Sequence, residues 1–273
     1  MRRISPIPAL LALPLALAAC GAVGTSPGPT GGPGGATDSP TTTPTASPPG
    51  PSPTAAPTPT AKPTGPAAFD PANFGAAIDN PWFPLTPGTT LTYKGTIDGE
   101  PAVDVFTVTD KTIVIEGVTC TIIDDRLYLA GVLAEKTLDY YAQDGGGNVW
   151  YLGEDTAEFD EAGKVVSTEG TWRAGVDGAE AGIFMEADPT IGRDLRQEYY
   201  KGHAEDHFKV VSLTESVSVP YGTFSDAMRT EERTPLEPDV LDNKYYVRGV
   251  GLVREVTVKG GHEELALVKV ESS

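Results

Sequence analysis

The chain has 273 residues, with 38 acidic against 20 basic side chains, a formal net charge of −18 and only two cysteines. That charge argues against nucleic acid, and against electrostatic docking on an anionic membrane surface. If Cys20 is modified, Cys120 has no intramolecular partner and no disulfide framework exists.

In chain order, Arg2 and Arg3 precede an apolar run from Ile4 to Ala19, interrupted by Pro6, Pro8 and Pro14. A basic start, a short apolar stretch and small residues before a cut site mark a secretory signal peptide, predicted over residues 1–19. The run is too short and too kinked for a spanning helix of ~20 residues. Leu17-Ala18-Ala19-Cys20 resembles the bacterial lipobox, in which the cysteine is lipidated and becomes the first residue of the mature chain. This predicts an extracytoplasmic lipoprotein, anchored to the outer face of the cell membrane by a lipid such as palmitate on Cys20.

Residues 20–67 read as a stalk. Thirteen of the 47 residues from 21 to 67 are Pro, and none is aromatic, Leu or Ile. Such a composition cannot bury enough apolar surface to offset its ordering entropy, so a disordered linker is expected. Repeated Thr-Pro and Pro-Ser steps favour extended polyproline at ~3.1 Å per residue, a reach on the order of 100 Å. Ser and Thr among prolines also fit O-glycosylation.

Residues 68–273 then form a single domain carrying 17 basic and 37 acidic residues. The balance is compatible with cationic partners or metal ions, although a solvated acidic surface that keeps an exported protein soluble is the stronger reading. Asp70 and Pro71 predict the N-cap and first residue of a short helix over 71–78. Three prolines in Asn80-Pro-Trp-Phe-Pro-Leu-Thr-Pro-Gly88 exclude a helix or central strand, so Trp82, Phe83 and Leu85 are expected to plug one end of the core.

From Thr89 onward the period is two, with turn signals every eight to twelve residues, among them Asp98-Gly99, Glu116-Gly117 and Ala130-Gly131. A further turn is expected at 109–111. Hairpins are expected through Asp144-Gly-Gly-Gly147 and Asp160-Glu-Ala-Gly163. The chain is irregular from 173 to about 192. Strands resume at 195–201, 208–213, 216–219, 226–233, 244–247, 252–258 and 263–270. No long segment has a 3.6-residue period. The expected fold is all-β: a single antiparallel meander forming a curved sheet, half-barrel or barrel, with at most short helices.

Candidate chemistry is sparse. His203-Ala-Glu-Asp-His207 would share a helix face at i,i+4, but strands flank it and the His-Glu-x-x-His order is absent, so no metal is assigned. Asp144-Gly-Gly-Gly-Asn148 lacks calcium spacing. Glu154, Asp155, Glu158, Asp160 and Glu161 cluster near Trp150, yet read as solvated turn positions rather than a glycosidase pair. Gly-x-Ser-x-Gly is missing, and Cys120 lies in an apolar strand pattern that suits a buried, inert thiol. No catalytic residue and no cofactor are therefore assigned.

Four aromatic doublets stand out: Tyr140-Tyr141, Trp150-Tyr151, Tyr199-Tyr200 and Tyr245-Tyr246. Neighbours on a strand point to opposite faces, so one member of each should meet the main core and the other a second face. If that face is a concave cavity, these residues are its candidate ligand contacts. The alternative is that the Trp82-Phe83 segment or the 174–192 loop covers them.

Asn80–Gly88, Tyr141–Tyr151 with Gly153-Glu-Asp-Thr156, and Tyr245–Glu255 together are similar to a family of exported lipoproteins of high-GC Gram-positive bacteria. Tyr246-Val-Arg-Gly-Val-Gly-Leu-Val253 also resembles the last strands of domains related to the lipoprotein carriers of the Gram-negative envelope. That second resemblance implies an open half-barrel around a lipid-binding cavity. The first implies a cysteine near position 227 as partner of Cys120, but Ala227 stands there. Neither resemblance implies catalytic residues.

The function expected is a non-enzymatic surface lipoprotein whose β domain binds an apolar or amphipathic ligand (a lipid or glycan) or an envelope protein, beside its membrane attachment through Cys20. The alternatives are a secreted hydrolase of cell-wall or extracellular glycan using an acidic pair, and a purely structural envelope lipoprotein.

Overall fold

A computed structural model describes residues 68–272; the predicted signal peptide, Cys20 and the stalk lie outside the described residues. Among the described residues, fifteen strands follow one 3-10 turn at Pro71–Asn73, whose Asp70 cap accepts the Ala72 amide. The helix expected over 71–78 stops there, because the chain turns extended at Phe74.

The first five strands are β1 (Thr89–Ile97), β2 (Glu100–Ile115), β3 (Val118–Leu129), β4 (Val132–Gln143) and β5 (Val149–Phe159). Short pieces follow as β6 (Val165–Ser167), β7 (Trp172–Arg173), β8 (Glu180–Met185), β9 (Asp194–Arg196) and β10 (Glu198–Tyr199). The last five are β11 (His207–Val219), β12 (Gly222–Arg233), β13 (Leu241–Val247), β14 (Gly251–Lys259) and β15 (Glu263–Ser272).

All belong to one antiparallel sheet. Its main path runs β10-β8-β5-β4-β3-β2-β1-β15-β14-β13-β12-β11-β9, with β6 and β7 attached to β5. Sequence neighbours pair throughout two runs, β1 to β5 and β11 to β15, and the runs join where β1 pairs with β15. The turns Asp98-Gly99, Glu116-Gly117 and Ala130-Gly131 have positive φ at both residues, which matches the strand twist in two-residue hairpins.

Three expected boundaries differ. The turn expected at 109–111 is an irregularity inside the continuous β2, between Val108 and Thr112. The segments at 208–213 and 216–219 are one strand, β11, with repeated register shifts against β12. The 173–192 stretch holds the end of β7 and all of β8, whose short lengths leave little periodicity to read.

The strand expected at 195–201 is cut at Gln197. Before it β9 pairs with β11, and after it β10 pairs with β8. The two ends of the sheet are thus consecutive in the chain, one residue apart. The sheet curls until its ends share one stretch of backbone, with no ladder closing it into a barrel.

Among the described residues, buried side chains form two groups. One gathers Trp82, Phe83 and Leu85 with Ile123, Tyr141, Tyr151, Phe208 and Met228. The other centres on Leu91, Val253, Leu265 and Leu267. The lead-in is pinned by Asn80, whose side chain donates to the Gly147 and Glu186 carbonyls and accepts from the Trp82 and Phe83 amides.

Candidate functional site

Alternation along the strands sends a second set of side chains inward, and many of these are acids. On β4 the inward series is Glu135, Thr137, Asp139 and Tyr141; β13 adds Lys244 and Tyr246. Together with the lead-in they enclose a chamber of about 100 Å³, with Phe83 and Leu85 in its wall. A second chamber of about 170 Å³ adjoins it, and Asp206, Glu232, Lys244 and Glu255 stand in both walls. Among the described residues, eight carboxylates line the first chamber, and Lys244 is the one basic residue in its wall.

Lys244 is well satisfied. Its ammonium lies 3.0 Å from Glu232 Oε2 and 3.3 Å from Glu255 Oε1. Burial opposes its charge, but these two carboxylates outweigh that and raise its pKa well above the usual lysine range. Glu232 Oε1 also accepts from Thr230 Oγ1 at 3.0 Å and from the Tyr246 hydroxyl at 3.3 Å.

The remaining chamber acids have no salt bridge to a basic side chain of the lining. Burial first, then neighbouring carboxylates, pushes Asp139 up to about 8 and Glu135 up to about 7. Burial raises Asp104 strongly, with Asp125 on the neighbouring β3 adding repulsion and a shared hydrogen bond. Glu198 is 1% exposed, and neither of its oxygens has a hydrogen-bond partner among the described residues. The Trp172 indole N–H faces it and favours its charged form, yet makes no bond of ordinary geometry. Burial, followed by repulsion from Asp206, therefore raises Glu198 well above the carboxylate range.

An aromatic wall faces these acids. Tyr141 and Tyr151 stack with centroids 4.7 Å apart, and Phe184 stands 5.0 Å from Tyr141. Phe83 lies 4.6 Å from Phe184 and 5.4 Å from Tyr141. The Tyr151 hydroxyl donates to Asp139 Oδ1 at 2.7 Å, which ties the aromatic side to the acidic side.

Of the eight doublet residues, Tyr141, Tyr151 and Tyr246 line this chamber. Their neighbours point away from it. Tyr140 donates to Asp155 beside Arg173, and Tyr245 packs under Arg254. Trp150 lies between Phe69 and Phe74 and donates from Nε1 to Asp144. Neither Tyr199 nor Tyr200 reaches either chamber: Tyr199 packs under Arg196, and Tyr200 stacks on His203. The reason is the break at Gln197, which aims Glu198 inward and ends β10 one residue later.

The other motifs have structural occupations. His207 Nδ1 lies 3.2 Å from Asp194. Asp144 accepts from the Gly146 and Asn148 amides and from the Asn148 side chain, closing the glycine hairpin. Cys120 is fully buried and burial pushes its thiol up to about 12. Glu154 and Asp155 are not turn residues but part of β5. Glu154 is buried, and Asp155 on the opposite face pairs with Arg173, so the two cannot flank one sugar.

The buried acids were not anticipated from the sequence, which suggested a solvated acidic surface. One signal was available: Glu135, Thr137 and Asp139 share the parity of Tyr141, and Lys244 that of Tyr246. Polar residues on the parity of large aromatics mark a polar interior when both faces of a sheet are covered.

No family model matches the chain, and no curated protein does, so the resemblance to a high-GC Gram-positive family has no support from either. Among solved structures, one similar chain is described as an exported protein with a YmcC-like fold from Bacteroides fragilis. It is 17% identical with a TM-score of 0.40, over 70% of this chain and 99% of that one. Another is described as a lipoprotein from Parabacteroides distasonis, 14% identical with a TM-score of 0.38, over 70% and 98%. Likeness at this level carries no argument about ligand or site.

Proposed function

We propose that this protein is a lipid-anchored lipoprotein of the outer face of the cell membrane, whose β domain is a non-enzymatic binding module for a small amphipathic ligand. The observation that carries the ligand reading is the two-sided chamber, with stacked Tyr141 and Tyr151 on one side and carboxylates on the other. Small-molecule sites join an apolar wall to polar groups that fix orientation, and here the polar side holds eight carboxylates. Its chambers, about 100 and 170 Å³, fall below the roughly 300–1,000 Å³ typical of drug-sized ligands. A full acyl chain would require the Phe83–Leu85 plug to move; a small ligand does not. The anchor rests on Leu17-Ala-Ala-Cys20 and the Pro-rich segment behind it, which would hold the module near its membrane at high effective concentration.

Native mass spectrometry of the full-length lipoprotein, purified in detergent from its own host, is expected to show a bound small molecule released on unfolding. A uniformly bare protein would count against a ligand and towards a purely structural role. Fatty-acid labelling is expected to mark the wild type and to be lost in Cys20→Ser. An unlabelled wild type would overturn the anchor.

A further inference from the structure

We infer that the ligand of the interior chamber is an organic cation, an aliphatic amine whose ammonium sits on Glu198 with its carbon chain against Tyr141, Tyr151 and Phe184. This rests on the binding-module reading and narrows it to one chemistry.

Charge leads to it first. Lys244 engages Glu232 and Glu255, which leaves six of the eight chamber carboxylates without a basic partner in the lining. In the adjoining chamber Arg233 is drawn off by Asp194, while His262 is the only other basic residue added.

Glu198 gives the position. A carboxyl that is 1% exposed and, apart from the Trp172 N–H that faces it, has no hydrogen-bond partner among the described residues is rare, because buried polar groups in folded proteins are nearly always bonded. Asp206, whose charge opposes that of Glu198 most strongly, also has a buried oxygen without a hydrogen bond among the described residues. Both project into the same chamber.

The molecule already displays the mode of recognition. Lys244 is a primary amine on a methylene stem, received by two carboxylates with Tyr246 beside them. Around Glu198 the same components recur, with Lys244 acting on it only through space and not in a salt bridge: Asp206 and Asp139 as further acids, and Tyr151 stacked on Tyr141 as the apolar face. Aromatic faces favour an adjacent cation.

A metal ion fits less well. No group of three His, Cys, Asp or Glu side chains converges as metal ligands among the described residues. Acids spaced along an apolar-sided slot suit an elongated cation. A cavity of ~150 Å³ accepts benzene, so chambers of this size suggest a chain of about four to six carbons.

The test uses the full-length lipoprotein in nonionic detergent, titrated by calorimetry and thermal melting with n-butylamine, 1,4-diaminobutane, 1-butanol and sodium chloride at matched ionic strength. Saturable binding is expected for the amines, with a melting temperature raised by several degrees, and neither is expected for butanol or salt. Glu198→Gln, a neutral isostere that keeps the shape, is expected to weaken amine binding at least tenfold. Asp226→Asn, on an exposed part of β12, should leave it unchanged. Equal responses to amine and salt, or undiminished affinity in Glu198→Gln, would overturn the cation. Should butanol bind as well as butylamine, the amphipathic reading survives and the cationic one falls. If nothing binds and the native protein is bare, both fall, and the interior is a hydrated set of protonated acids.

Discussion

Lys244 is the residue on which the interior balance turns, since its ammonium is all that offsets Glu232 and Glu255. Removing one member of a buried ionic cluster leaves the others uncompensated, at a cost of about 3–5 kcal/mol. Lys244→Met is therefore expected to lower the unfolding free energy by that much near pH 8, read as a lower urea midpoint. The loss should shrink near pH 5, because Glu255, held at about 7 chiefly by burial, then takes up a proton in place of its partner. A midpoint unmoved at pH 8 would refute the role. At this scale the sequence showed Lys244 on the parity of Tyr246. It did not show the two acids, because they arrive from β12 and β14 on either side.

Among the elements, the junction between β9 and β10 decides the architecture. There the backbone passes over β8 so closely that a Cβ on Gly182 would stand 2.3 Å from the Gln197 carbonyl oxygen. That contact is with backbone, which has little room to give. Gly182→Ala is expected to cost at least roughly 2–3 kcal/mol by the overpacking rule, and to speed hydrogen exchange first in β8 and β10. Gly75→Ala, where nothing lies within 4 Å, is the control and should be near neutral. The long hairpins were legible because their turns carry local signals such as Asp98-Gly99. The two-residue β7 and β10 were not, since such short pieces exist only through the neighbours that pair with them.

For the whole molecule, the buried acids set an unusual response to pH. A carboxyl raised in the folded state holds its proton where the unfolded chain has lost it. Stability from such groups is present at low pH and falls as pH rises through the folded values. Burial places Glu135, Asp206 and Glu255 at about 7, Asp139 at about 8 and Glu263 at about 9, so the loss should run from about pH 5 to 9. The groups facing them are mostly acids, Asp125, Glu158, Glu232 and Asp242, with Lys244 the one cation opposing the trend. Asp124 and Asp194 run the other way: they lie beside Arg126 and Arg233, are lowered, and withdraw stability only in strong acid. Melting temperature is expected to peak near pH 5 and to fall by on the order of 10 °C towards pH 9. A curve rising or flat over that range would contradict the buried placement of these acids.

Residue order by itself determined the all-β class, the two-residue turns and the plugging role of Trp82, Phe83 and Leu85, because alternation, glycine turns and proline breaks act over a few residues. The lipobox-like run Leu17-Ala-Ala-Cys20 is equally local and lies outside the described residues. Only the tertiary structure decided that Tyr141, Tyr151 and Tyr246 share a chamber with Glu198 and Lys244. Period two assigns a side chain to one face or the other. Whether a face becomes surface, core or cavity wall depends on how far the sheet curls and what closes it, and here that was settled by pairings between β1 and β15 and around Gln197, far apart in the chain.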